Sequence, residues 1–356
     1  MMRTHASPAC LCLLVVANCV AQQAVRTITP NQADSITEAL VRSHGDYVFS
    51  ETANKLQACV REHEAEYRAI SDPKALANRL TEDLRAVGHD HHLEVTFGEE
   101  LGIQKDPTPE EKQRAHAFDL ARGYGIRSAR RLPGNIGYVD LAYFSPDAGA
   151  ALAATMQLVS GTDGLILDLR RNGGGSGETA TALLSYFFEE PVQLSSIVER
   201  KNGLMQERQK WTMPYVAGPR YTGKPVYILT SSHTHSAAEF CAYDLQAMRK
   251  ATIIGGQTSG DANSSKGVVK LGYGFTVLIP NGETKSPVTH TNWEGTGVQP
   301  DVAVNADDAL LMAYRRALNE SKPVVTDSED LKGERLRAVQ DPQAALNEEI
   351  SGFQKK

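Results

Sequence analysis

The stretch Val226-Tyr227-Ile228-Leu229-Thr230-Ser231-Ser232-His233-Thr234-His235-Ser236-Ala237-Ala238-Glu239-Phe240 decides how the rest of the chain is read. Its first half, with Pro225 before it, is an apolar run rich in β-branched and aromatic residues, the pattern of a buried strand. Beyond it, Ala237, Cys241, Leu245 and Met248 recur at i, i+4, i+8 and i+11, one face of a helix. Ser236 therefore falls at a strand–loop–helix junction, where unpaired backbone N–H groups point outward and negative charge is favoured. A hydroxyl there can be a helix cap, or a nucleophile whose oxyanion is received by a neighbouring N–H. The stretch alone leaves both readings open.

Working outward, strands alternate with helices. Residues 135–144 read as a strand, with a helix from about Ala148. Residues 164–169 are continuously apolar, as in a parallel sheet, and lead through Arg170-Arg171-Asn172-Gly173-Gly174-Gly175 into a helix spanning residues 182–188. Residues 192–213 read as an antiparallel excursion turning at Asn202-Gly203, and residues 252–256 as another strand. Residues 275–280 and the Asn281-Gly282 turn are expected to close the sheet region. This is an α/β pattern. Ahead of it, residues 29–87 are helical: Leu76, Leu80, Leu84 and Val87 share a face, and Ser71-Asp72-Pro73 starts that helix. The expected organisation is a leader over 1–21, a helical domain over 22–97 and a linker over 98–130. An α/β core over 131–305 and a helical extension with a charged tail over 306–356 complete it.

The chain has 356 residues, 41% hydrophobic and 22% charged, enough to bury a sizeable core. A formal net charge of −6 provides no basic footprint, which argues against nucleic acid as a partner. Arg3 and His5 precede the apolar run 9–17, and Cys19-Val20-Ala21 offers small residues for cleavage. That is the pattern of a secretory signal peptide, so a secreted or periplasmic location is expected. Lipid anchoring at Cys19 ranks second, because Asn18 suits a lipobox poorly. No further apolar run is long enough for a transmembrane span. Cys59 and Cys241 are the clearly mature cysteines, too few for a disulfide framework; their pairing and the oligomeric state stay open.

Several residues can carry chemistry. The Asn172-Gly173-Gly174-Gly175 turn lacks the Lys-Ser/Thr of a phosphate loop, but its glycines let backbone approach a ligand closely. His89, His91 and His92 raise the question of a metal, yet no thiolate or carboxylate stands at a standard spacing, and no metal or other cofactor is expected. One of them acting as a proton carrier fits better. Trp293-Glu294-Gly295-Thr296-Gly297 places a carboxylate beside an aromatic in a glycine-flanked loop.

Taken in order, Asp90-His91-His92-Leu93, Asp168-Leu169-Arg170-Arg171-Asn172-Gly173-Gly174-Gly175, Ser236-Ala237-Ala238-Glu239 and Trp293-Glu294-Gly295-Thr296-Gly297 resemble one family. It is the tail-specific, or C-terminal processing, serine peptidases, in the branch with interphotoreceptor retinoid-binding-protein-like and tricorn-core-like members. The resemblance covers residues 30–305. It implies a crotonase/Clp-protease-like spiral core of β-β-α units preceded by a small helical domain, with the active site between them. It further implies Ser236 as nucleophile, His92 as base, Glu294 completing the charge network, and the backbone N–H groups of Gly174 and Ala237 as oxyanion hole. Two departures are visible. The glycine-rich stretch 255–261 holds no lysine, so the Ser–His type fits rather than the Ser–Lys type. The position before the base, a bridging serine in the tricorn type, is His91, which leaves His91 or Asp90 as a possible orienting group. The expected activity is hydrolysis of peptide or protein substrates through an acyl-enzyme. The alternative is a non-hydrolytic binding protein for an apolar, retinoid- or lipid-like ligand.

Overall fold

The computed structural model describes residues 27–90, 92–98, 107–201, 204–263, 268–323 and 328–352. The leader, His91, the Asn202-Gly203 turn and Lys266 lie outside the described residues.

The architectural centre is a six-stranded sheet in the order Val302–Ala303, Thr252–Gly255, Val226–Thr230, Gly164–Asp168, Ile136–Leu141, Ile126–Leu132. Neighbours from Val302–Ala303 through Ile136–Leu141 run parallel, and Ile126–Leu132 is the antiparallel edge. The strands Gly164–Asp168 and Val226–Thr230 are buried along their whole length, which explains their unbroken apolar sequence. One face packs Leu165, Leu167 and Ile228 against the helices Gly149–Val159, Gly177–Ser185 and Ala237–Ala247. The other packs Ile166, Tyr227, Leu229 and Ile254 under the helix Ala309–Glu320. Each fully buried aliphatic contributes about 1.5–3 kcal/mol relative to exposure.

The amino-terminal part holds the helices Pro30–Ser43, Ser50–Glu62, Glu64–Ala69 and Pro73–Gly88. Thr29 opens the first with a reciprocal capping box to Gln32, and Asp72 caps the last by accepting from the Ala75 N–H, with Pro73 at the first helical position. The interior of this part includes Leu40, Leu56, Leu76, Leu80 and Leu84, all fully buried.

Three features differ from the sequence reading. Phe275–Leu278 does not join the main sheet: it pairs with Glu94–Phe97 on one side and Val268–Gly272 on the other, so late residues Phe275 and Val277 complete the amino-terminal core. The edge strand Ile126–Leu132 starts inside the stretch read as linker. The carboxyl-terminal stretch forms two further helices, Glu329–Gln340 and Pro342–Gly352. The antiparallel excursion is present as Gln193–Lys201 paired with Leu204–Trp211, flanked by Gly282–Lys285.

Candidate active site

Ser236 immediately precedes the helix Ala237–Ala247 and adopts φ 52°, ψ −116°. This left-handed, strained conformation costs a non-glycine residue about 1–3 kcal/mol and persists only where its surroundings impose it. The principal restraint is Glu239, which is fully buried. Its carboxylate accepts from the Ser236 N–H (2.8 Å), the Gly260 N–H (2.7 Å), the Asp261 N–H (3.1 Å), Thr258 Oγ1 (2.6 Å) and Ser259 Oγ (3.1 Å). One side chain thus ties the Ser236 turn to the glycine-rich loop after the next strand. The sequence offered Glu239 only as a helix residue beside Ser236; the capping-box spacing Ser-x-x-Glu was the available signal.

The glycine turn comes from the end of the strand Gly164–Asp168. Buried Asn172 fastens it: Nδ2 donates to the Leu141 carbonyl (2.9 Å), Oδ1 accepts the Gly174 N–H (2.8 Å), and its own carbonyl accepts the His235 N–H (3.0 Å). Gly174 must be glycine, having φ 91° and standing where a Cβ would come within 2.9 Å of Ser236 Cβ. The Gly174 N–H, expected as an oxyanion donor, is thus engaged with Asn172 Oδ1. The next residue, Gly175, lines the cavity with Ser236, and neither its N–H nor that of Ala237 has an acceptor among the described residues.

His92 follows the amino-terminal helices and lines the same cavity, of about 440 Å³, as Ser236. The structure therefore brings the two together across the meeting of the helical part and the α/β core; no hydrogen bond joins them among the described residues. Asp90 Oδ1 accepts both the His92 N–H (2.9 Å) and Nδ1–H (3.1 Å), while Tyr47 Oη–H donates to Asp90 Oδ2 (3.0 Å). Glu294 Oε1 stands 3.7 Å from His92 Nδ1. Its other oxygen accepts the N–H groups of Ala262 (2.8 Å) and Asn263 (2.7 Å). Asp90 is thus the nearer of the two carboxylates to the ring. Burial works to lower the pKa of His92, but Asp90 and Glu294 prevail and push it up to about 10. Burial likewise works to raise Asp90, yet the bonds from His92 and Tyr47 hold it below the usual carboxylate range.

His89 sits apart, exposed, as the left-handed cap of the helix Pro73–Gly88. Ligand atoms of Asp90, His92 and Glu294 lie within 4.8 Å of one another, as do those of His235, Glu239 and Asp261. Asp261, in the stretch where a Ser–Lys enzyme would carry lysine, instead meets His235 Nδ1 at 2.6 Å. Cys59 and Cys241 are both free thiols.

Comparison with known proteins gives the family. The family described as "Peptidase family S41" matches residues 135–304, and "N-terminal domain of Peptidase_S41 in eukaryotic IRBP" matches residues 20–120. The chain belongs to peptidase family S41. A carboxy-terminal-processing protease of Bartonella bacilliformis is 29% identical over 180 residues, 49% of this chain and 40% of that protein. A carboxyl-terminal-processing protease of Synechocystis is 31% identical over 179 residues, 48% of this chain and 38% of that protein. The chain thus spans about two fifths of the length of these relatives. Among solved structures, a candidate peptidase from Parabacteroides merdae superposes with TM-score 0.55 at 21% identity, over 78% of this chain and 90% of that one. A lipoprotein from Streptococcus agalactiae gives TM-score 0.50 at 16% identity, over 82% of this chain and 96% of that one. These likenesses concern the fold: an α/β core with a helical amino-terminal part.

Proposed function

We propose that this S41 chain is an exported serine peptidase that cuts peptide bonds through an acyl-enzyme, acting toward the carboxyl ends of its substrates. The observation that carries the reading is the cavity lined by both His92, from the helical part, and Ser236, from the α/β core. Export rests on the leader pattern of residues 1–21. Processing near carboxyl ends is carried over from the relatives' names.

The chemistry follows from the hydrogen bonds. His92 Nδ1 faces Asp90 and Glu294, so its proton stays there and Nε2 is the nitrogen left for Ser236. Ser236 Oγ attacks the substrate carbonyl as its proton moves to Nε2. The resulting oxyanion is received by the Gly175 and Ala237 N–H groups, the latter opening a helix whose dipole favours negative charge. Collapse breaks the C–N bond, and His92 returns the proton to the leaving amine. Water then repeats the sequence on the acyl-enzyme, releasing the acid and regenerating Ser236. General-base help supplies roughly 10²–10⁴-fold, and one oxyanion donor about 3–4 kcal/mol. The base must first be neutral; with His92 held near 10, turnover is expected to climb as the pH rises through the alkaline range.

A fluorophosphonate probe is expected to label Ser236, with Ser236→Ala and His92→Ala each abolishing labelling and peptide turnover. Labelling at another residue, or turnover surviving both changes, overturns the proposal. The match of residues 20–120 to the IRBP-type domain favours one second reading, a non-hydrolytic carrier of an apolar ligand. Saturable binding of a fluorescent lipid by a protein that resists the probe is the result that reading requires.

A further inference from the structure

Within the cavity that holds Ser236, one cation, Lys210, has no ion-pair partner among the described residues. Lys210 lies on the strand Leu204–Trp211, directly opposite Leu194 in the antiparallel pair. Leu194 is fully buried, and the pleat turns Lys210 to the same inner face, whereas its strand neighbours Gln209 and Trp211 are exposed. Its Nζ stands 5.0 Å from the centroid of the Phe240 ring and 2.9 Å from where a Cβ on Gly177 would be. Phe240 and Gly177 line the cavity with Ser236. Among the described residues Lys210 forms no ion pair; Glu178 and Asp244 act on it only at longer range. Asp244 is itself occupied, accepting from the Ser195 N–H (2.8 Å) and Ser195 Oγ (2.5 Å). Burial accordingly pulls the Lys210 ammonium below its ordinary pKa.

A second unmet group shares the cavity. Asn263 is only 6% exposed, and both ends of its side-chain amide lack a hydrogen-bond partner among the described residues. Buried polar groups left open in this way are costly, and a peptide able to donate and accept would satisfy them.

We propose that Lys210 is the specificity residue of this cavity and receives a substrate carboxylate, either the chain terminus or an Asp or Glu side chain beside the scissile bond. The inference rests on the peptidase reading and adds the substrate class to it. An ammonium over an aromatic ring, shielded from bulk water and without an acidic partner, gains most from a ligand that brings the carboxylate itself. Neutral ends of equal size leave it unpaired.

The test uses the mature protein and matched peptides: free acid against amide at the carboxyl terminus, and Glu against Gln beside the cleaved bond. The readouts are kcat/KM and protection of Ser236 from the fluorophosphonate probe. Wild type is expected to favour one acidic member by about ten- to a hundredfold, the range for a hydrogen bond to a charged group. Which pair shows the preference separates terminus from side chain. Lys210→Met should bring that ratio close to one, Lys210→Arg should retain it, and Lys210→Glu should reverse it. An acid-to-neutral ratio near one in wild type overturns the inference. So does an equal loss on both members in Lys210→Met while Lys210→Arg keeps the wild-type unfolding midpoint. Ser236 resisting the probe with no peptide cut overturns the peptidase reading itself. Labelling without an acid preference removes only the role of Lys210.

Discussion

Two histidine–carboxylate clusters flank Ser236, and they differ in nearly everything but composition. His235 is its neighbour in sequence, meets Asp261 at 2.6 Å and Ser259 Oγ at 2.9 Å, and its side chain is 45% exposed. His92 arrives from the other part of the molecule, faces Asp90 and Glu294, and its side chain is 21% exposed. Water competes for the bonds of the exposed His235 ring. The second sits where charge is screened poorly, and there the carboxylates lift the imidazole to about 10. Nearness in sequence is a poor guide here: the His235 ring is held by Asp261 and Ser259, and it is His92 that lines the cavity with Ser236.

The most damaging way to break this comparison is to remove each histidine in turn. His92→Ala should cost roughly 10²–10⁴-fold in turnover, whereas His235→Ala should change it by no more than about threefold. Similar losses in both variants would invert the assignment. A sharper probe of the scaffold is Glu239→Gln, which keeps the size but discards the charge that five donors share. We expect a loss of roughly 2–3 kcal/mol in denaturant unfolding, with labelling of Ser236 slowed because its turn is no longer held. Unchanged stability would show that the glycine-rich loop is fastened by something else.

The gentlest variant is Asp90→Asn. Removing the nearer carboxylate lowers the pKa of His92, so the rise of kcat/KM with pH should move toward neutrality while the maximum falls. A profile that does not shift would place the titrating group elsewhere. The same pairing has a stability consequence. A base raised from 6.5 to about 10 on folding contributes stability that is complete below 6.5 and lost as the pH climbs through 10. In Asp90→Asn the loss should start from the same pH but be smaller and finish at lower pH, as read from unfolding midpoints.

Much was visible in the sequence because it was local. The buried strand Val226–Thr230 shows in its apolar run, the helices in their 3.6-residue period and caps, and the close approach of backbone at Gly174 in a glycine triplet after a strand. Other features were not local. Phe275–Leu278 has the pattern of any half-buried strand, and nothing in it says that its partner is Glu94–Phe97 rather than the main sheet. Gly174 and Gly175 look alike as oxyanion donors until the Asn172 side chain is seen to consume the first N–H. Lys210 reads as one more charge on a polar strand until the register with Leu194 turns it inward.

By itself, then, the sequence determined the α/β pattern, the helical start and the residue types able to perform acyl transfer, since period, capping and side-chain chemistry are written residue by residue. Only the tertiary structure decided which carboxylate stands nearer to His92, which amides of the glycine turn are already bonded, and that Lys210, with no ion pair among the described residues, lines the cavity. Those are outcomes of burial and of hydrogen-bond competition between segments far apart in the chain, and both come into being only when the segments meet.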